Sequence, residues 1–213
     1  MNKKTRLILA LDVLSPDRAV GLARTLEGYV DYIKIGYPLI LSAGLDIVGT
    51  ISEFVPMIAD LKIADIPNIN ILISEQVLAA GARGLIAHAF TGRDSLEACV
   101  TSARRFDALA FAVTEMSHPG AEDFMAPLAQ DLARMAVDAG ADGVVAPATR
   151  PGRIEVIRAV IGDKIIISPG VGAQGGSAAD AIMAGADYLI VGRSIIEAED
   201  PVKAAEMILS EIG

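Results

Sequence analysis

Eight short runs rich in Ile, Val and Leu recur along this chain of 213 residues, separated by segments with apolar residues at helical spacing. The runs span 7–13, 32–37, 57–63, 84–90, 108–116, 143–147, 165–171 and 188–194. Continuous apolar runs of this length describe strands buried on both faces, the pattern of a parallel sheet covered by helices. The composition agrees. Hydrophobic residues make up 53% of the chain but aromatics only 4%, with no Trp, so the core must be built from Ala, Ile, Leu and Val.

The intervening segments carry helix signals. Ser15-Pro16-Asp17 places a capping hydroxyl before a proline in the first turn, and Val20, Ala23 and Leu26 follow at helical spacing. Gly81, Gly140 and Gly185, each between two alanines just before a strand, mark helix ends in the left-handed conformation that glycine tolerates. Strand and helix thus alternate eight times, which predicts a (β/α)8 TIM barrel of class α/β, one domain over 1–213. A doubly wound open sheet is the competitor. The count of eight and the lack of a glycine-rich turn after the first strand favour closure.

Eighteen Lys and Arg against 27 Asp and Glu give a net charge of −9, the wrong sign for a nucleic-acid binder. A small anion such as a phosphorylated metabolite can still be held by a few converging cations and backbone N–H groups. The single cysteine, Cys99, reads as a buried inert thiol. The opening Met-Asn-Lys-Lys-Thr-Arg before Leu7–Leu11 resembles a secretory leader, but Asp12 interrupts the apolar run, so it reads as a strand and the protein as cytoplasmic. No stretch approaches the ~18 apolar residues of a membrane span.

Inward positions of barrel strands normally carry aliphatics, yet Asp12, Lys34, Asp60, Lys62, His88 and Glu115 lie inside the apolar runs or at their C-terminal ends, the catalytic face of this fold. The densest group is Asp60-Leu61-Lys62-Ile63-Ala64-Asp65-Ile66-Pro67. On a strand Asp60 and Lys62 share one face while Leu61 and Ile63 pack against helices; Asp65 falls at the strand end and Pro67 opens the next helix. An ammonium between carboxylates makes a divalent-metal site less natural. A buried ion-pair network without catalytic use is the plainer alternative.

The seventh run ends in Ser168-Pro169-Gly170-Val171-Gly172-Ala173-Gln174-Gly175-Gly176, and the eighth in Val191-Gly192-Arg193-Ser194. In a barrel these loops form the usual phosphate site, with Arg193 able to bind bidentately. After the fifth run, Thr114-Glu115-Met116-Ser117-His118-Pro119-Gly120 offers the Ser117 hydroxyl to a bound heterocycle, while Pro119 and Gly120 shape a turn. His118 reads as a loop histidine tied to backbone, His88 as a hydrogen-bonded interior residue, and Met57 and Met116 as packing.

Taken together, LILALDV with Asp12, KIGYP with Lys34, ADLKIADIP at 59–67, TEMSHPGA at 114–121, SPGVGAQGG at 168–176 and VGRSI at 191–195 resemble the orotidine 5′-phosphate decarboxylases in their short archaeal-type form, over essentially the whole chain. The resemblance implies decarboxylation of orotidine 5′-monophosphate to UMP and CO2, the last step of de novo pyrimidine synthesis, with no metal or organic cofactor. It implies a catalytic array of Lys34, Asp60 and Lys62, with Lys62 giving a proton to C6. Asp65 would be donated to the other subunit of a homodimer. Asp12 and Lys34 would hold ribose hydroxyls and Ser117 the pyrimidine edge, while Gln174, Gly192 and Arg193 would hold the phosphate. Pro169, Gly170, Val171 and Gly172 are further substrate-binding positions, in a loop from Pro169 to Asp180 that closes over the ligand. Ile66 and Ile69 complete the set, although Ile69 stands where many relatives have a Thr whose hydroxyl reaches the neighbouring subunit's site; either that hydrogen bond is dispensable here or a neighbour replaces it, and apolar packing through Ile69 is the simpler reading. The nearest rivals are a hexulose-phosphate synthase or keto-gulonate-phosphate decarboxylase, which would use Mg2+, and a noncatalytic nucleotide-binding barrel.

Overall fold

The computed structural model describes residue 1 and residues 4–212; the expected domain bounds of 1–213 also include 2, 3 and 213, outside the described residues. The first half runs β1 (Leu7–Ala10), α1 (Pro16–Thr25), β2 (Tyr32–Gly36), α2 (Tyr37–Ala43), α3 (Ile47–Ser52), β3 (Met57–Ile63), α4 (Pro67–Ala79), β4 (Gly84–His88) and α5 (Arg93–Arg105). The second runs β5 (Leu109–Val113), α6 (Ala121–Asp138), β6 (Gly143–Val145), α7 (Pro151–Ile161), β7 (Ile165–Pro169), α8 (Ala178–Met183), β8 (Tyr188–Val191), α9 (Arg193–Ile196) and α10 (Pro201–Ile212). All strands are parallel and pair in sequence order, with β8 returning to β1, so the sheet is a closed barrel rather than an open one.

The strands begin within a residue of the apolar runs, but most end earlier: β1 stops at Ala10 and β5 at Val113. Apolarity reports burial, and burial continues past the ladder. Leu11, Ala89 and Ala146 are fully buried in the loops that follow β1, β4 and β6. Alternation along each strand divides two cores. Leu7, Leu9, Met57, Ala59, Leu61 and Ile63 point outward into the layer between sheet and helices, whereas Ile8, Ile58, Ile86, Phe111, Val113, Ile167 and Ile190 fill the barrel. A barrel interior packed in this way is a floor rather than a pore, so any site must lie above it, at the strand ends.

The helix signals hold. Ser15 Oγ accepts from Arg18 N–H at 3.3 Å with Pro16 at the start of α1, and Gly81, Gly140 and Gly185 all have positive φ. Cys99 is buried, and burial pushes its thiol up to about 11. No helix among the described residues is long and apolar enough to cross a membrane.

Candidate active site

The inward face of β3 carries Ile58 and then Asp60, so the barrel's aliphatic packing gives way to a carboxylate just below the rim. Regular pleating would carry on to Lys62, but the pairing of β3 with β4 shifts register between Ala59 and Ile63, and Lys62 has φ +42°. A bulge of this kind re-aims a side chain. Here the Lys62 ammonium lies 2.9 and 2.8 Å from the two oxygens of Asp60.

Lys34, inward on β2, lies 2.9 Å from Asp60 Oδ2 and 3.5 Å from Asp12 Oδ1, two residues past the end of β1. The result is an alternating row, Asp12, Lys34, Asp60, Lys62, across three adjacent strands. Burial alone would raise the Asp60 carboxyl, but Lys34 and Lys62 outweigh it and hold the group below the usual carboxylate range. Burial likewise opposes the Lys34 ammonium, and Asp60 and then Asp12 outweigh it, keeping Lys34 above the ordinary lysine value. Both buried members are therefore charged at neutral pH, and Lys62, with its side chain 36% exposed, is the cation that faces solvent.

This row forms one side of a cavity floored by Ile86, Val113, Val145 and Ile190. On the opposite side stand Ser117, after β5, and Pro169, at the end of β7, followed by Gly170, Val171 and Gln174, with Gly192 and Arg193 after β8. The loop after β7 folds back on itself: Gly176 N–H donates to Gly170 O at 3.0 Å, and a Cβ at Gly176 would come 2.6 Å from that oxygen and 3.0 Å from Ala148 O. Gly170 has φ +104° and packs on Thr149. Arg193 opens α9, exposed, and its guanidinium has no ion pair or hydrogen bond among the described residues. An unpaired guanidinium and the Gln174 amide at a glycine-rich rim suit an anion.

The profile of the orotidine 5′-phosphate decarboxylase / HUMPS family matches residues 5–208. The orotidine 5′-phosphate decarboxylase of Methanococcoides burtonii is 58% identical over 214 residues, covering 100% of both chains. The chain belongs to this family. Among solved structures, that of orotidine 5′-monophosphate decarboxylase from Methanocaldococcus jannaschii complexed with the inhibitor BMP superposes with a TM-score of 0.93 at 41% identity, covering 97% of this chain and 98% of that one. The Pyrococcus horikoshii orotidine 5′-phosphate decarboxylase gives 0.88 at 46% identity, with the same coverage.

Against the positions that the family resemblance implied, the barrel brings together Asp12, Lys34, Asp60, Lys62, Ser117, Pro169, Gly170, Val171, Gln174, Gly192 and Arg193 on one cavity. It leaves Asp65, Ile66, Ile69 and Gly172 off that wall. Asp65 and Ile66 are exposed between β3 and α4, and Ile69 is half-buried in the first turn of α4. Gly172 shapes the loop after β7, where a Cβ would meet the Ser194 hydroxyl. That loop ends at Ser177, which caps α8, so Asp180 belongs to the helix rather than the loop.

Three sequence readings change. His88 is interior, but its Nδ1 has no hydrogen-bond partner among the described residues; its ring stacks edge-on against Phe90 at 4.8 Å instead. Burial, with Lys62 nearby, pushes the imidazole down to about 4. His118 is exposed, and its ring has no hydrogen bond among the described residues; the loop around it is held through its backbone carbonyl, which accepts from Ala121 N–H. Glu115 is fully buried and outside the cavity, paired with Arg150 at 2.8 Å and Arg153 at 2.9 Å. Arg150 also donates to Met116 O at 2.5 Å, and Thr149 Oγ1 donates to Ser117 O at 3.2 Å, so this network holds the backbone of the cavity's Ser117. Arg150 and Arg153 lie 35 and 38 residues beyond Glu115, and no local pattern links them.

Proposed function

We propose that this family member decarboxylates orotidine 5′-monophosphate to UMP and CO2 without metal or organic cofactor. The observation that carries the reading is the row Asp12, Lys34, Asp60, Lys62 facing an unpaired Arg193 across one cavity. Loss of CO2 from C6 leaves a carbanion with no electron sink, so a preorganised cation must stabilise it. Lys62 supplies that cation and then the proton. Lys34 and Asp60 hold it in place, since Asp60 meets both ammonium groups at 2.8–2.9 Å. Asp12 and Lys34 hold the ribose hydroxyls and Ser117 the pyrimidine edge. Gln174, Gly192 and Arg193 bind the phosphate, whose remote binding energy draws the loop after β7 over the site.

The Mg2+-dependent sugar-phosphate enzymes in the same family are the competing reading. Against them stands Asp60, whose two oxygens already face ammonium nitrogens. Purified protein mixed with orotidine 5′-monophosphate should deplete the substrate's ultraviolet absorbance at the same rate with and without EDTA. No turnover, or turnover lost to EDTA, would reject the reading.

The active unit in this reading is a homodimer of single-domain barrels, 1–213, in the cytoplasm. Asp65 reaches the partner's site, and Ile66 and Ile69 pack beside the partner's substrate. Support comes from the position of Asp65 off its own cavity wall and from exposed Tyr37, Leu41, Leu72 and Phe90 on the neighbouring β2, β3 and β4 sectors.

A further inference from the structure

Asp65 sits in the short connection from β3 to α4, where a loop residue would ordinarily be free to shift, yet both polar groups of its backbone are bound by side chains from two different helices. Its N–H donates to Asn70 Oδ1, in α4, at 3.0 Å. Its carbonyl accepts from Ser95 Oγ, in α5, at 2.8 Å. The two side chains are joined to each other, since Asn70 Nδ2 donates to Ser95 O at 3.0 Å and to Ser95 Oγ at 2.8 Å. Thr91 Oγ1 lies 2.7 Å from Ser95 Oγ and completes its hydrogen bonding. Asn70 is fully buried and Ser95 is 2% exposed.

Every polar atom of the Asn70 amide is used in this ring, and only one orientation of the amide fits it, because Oδ1 must accept and Nδ2 must donate. The amide does not cap its own helix; α4 has no side-chain cap, and the backbone N–H of Asn70 already bonds to Ile66 O at 3.0 Å. A buried asparagine directed at one loop peptide fixes that peptide. The side chain of Asp65 is set as well, because Ile66 N–H donates to Asp65 Oδ1 at 2.7 Å.

We infer that Asn70 and Ser95 are positioning residues that act in trans: they clamp Asp65 of their own chain so that its carboxylate arrives correctly in the other subunit's site. The inference rests on the reading of Asp65 as donated across the dimer. Displacing a catalytic group by about 1 Å costs on the order of 100-fold in rate, so Asn70→Ala and Ser95→Ala homodimers should lose activity on that scale in kcat. Combining Asn70→Ala with Asp65→Asn should add little to the loss from Asp65→Asn alone, because both act through one carboxylate.

The decisive test uses heterodimers isolated through two different affinity tags. A Lys62→Ala chain paired with an Asn70→Ala chain has one site that combines intact Lys62 with a correctly held Asp65. It should show half of wild-type activity, as should Lys62→Ala paired with Asp65→Asn. If the Asp65→Asn heterodimer recovers and the Asn70→Ala one does not, Asn70 serves its own barrel and the clamp is overturned while the shared site stands. If neither recovers, both fall. Should Asn70→Ala fail to fold, Ser95→Ala in the same pairing decides the matter by the same outcomes. Homodimeric Ser95→Ala at wild-type turnover would overturn the inference directly.

Discussion

Lys62 holds a left-handed backbone, φ +42°, which costs a non-glycine L-residue about 1–2 kcal/mol. Strain of this kind persists where the surroundings enforce it, and here it turns an ammonium onto Asp60. Lys62→Ala should therefore abolish decarboxylation while the barrel survives, because Asp60 keeps Lys34 at 2.9 Å. Near-wild-type turnover would remove Lys62 from the chemistry. Lys62→Gly should be as inactive but about 1 kcal/mol more stable than Lys62→Ala, since glycine adopts positive φ freely; urea denaturation of the two variants measures the difference, and an alanine variant as stable as the glycine one would show that no strain is stored there. His88 gives a pH prediction. Its folded value, about 4, lies below the ordinary 6.5, so the neutral ring contributes stability that is fully present above pH 6.5 and lost as the pH falls toward 4. The loss amounts to about 3 kcal/mol by linkage. His88→Gln should flatten the stability profile over that window, whereas an unchanged slope would assign the acid sensitivity to other groups. Lys34, held above the ordinary lysine value, contributes no slope between those limits, whereas Asp60, held below the usual carboxylate range, adds its own loss of stability only toward the acid end, as the unfolded carboxyl takes up its proton.

The loops after β7 and β8 act as one element, closed by the backbone bond from Gly176 N–H to Gly170 O and faced by Arg193. Arg193→Ala should lower kcat/KM for orotidine 5′-monophosphate by roughly 10- to 100-fold, the worth of a charge-assisted hydrogen bond at about 1.5–3 kcal/mol. Truncated substrate without the phosphate should react almost equally with variant and parent. A further large loss on that substrate would mean that Arg193 works elsewhere. Gly176→Ala tests the loop without removing any charge. Its Cβ meets backbone oxygens at 2.6 and 3.0 Å, which cannot move away as a flexible side chain can, so the loop must open and KM should rise. Unchanged KM would show that the fold-back of this loop is irrelevant to phosphate capture.

At the scale of the whole molecule, a barrel monomer carries complete elements of a site but sends Asp65 away from it. Random exchange of Lys62→Ala and Asp65→Asn subunits in equal amounts makes about half the dimers mixed, each with one good site of two, so activity should recover to about a quarter of wild type. Placing Glu at both Leu41 and Leu72, which are 81% and 52% exposed, should leave a folded monomer in sedimentation and remove most activity, because no partner then supplies Asp65. A monomer of full activity would refute the shared site.

The sequence by itself determined the barrel and most of the cavity. Eight buried strands announce themselves through apolar runs, helix starts through Ser15-Pro16, and rim charges through their appearance inside those runs, because each signal is local and spans few residues. The tertiary structure alone decided what depends on contacts distant in sequence. The bulge at Lys62 arises from how β3 pairs with β4. The pairing of Glu115 with Arg150 and Arg153 closes only when β5 and the loop after β6 lie side by side. His88 reads as a bonded interior histidine, but in the barrel its ring packs against Phe90 and its Nδ1 has no partner among the described residues. Asn70 and Ser95, 25 residues apart in two helices, carry no motif. Their join around Asp65 exists only because neighbouring barrel sectors bring the first turn of α4 against the start of α5, where burial turns two ordinary polar side chains into partners for one loop peptide.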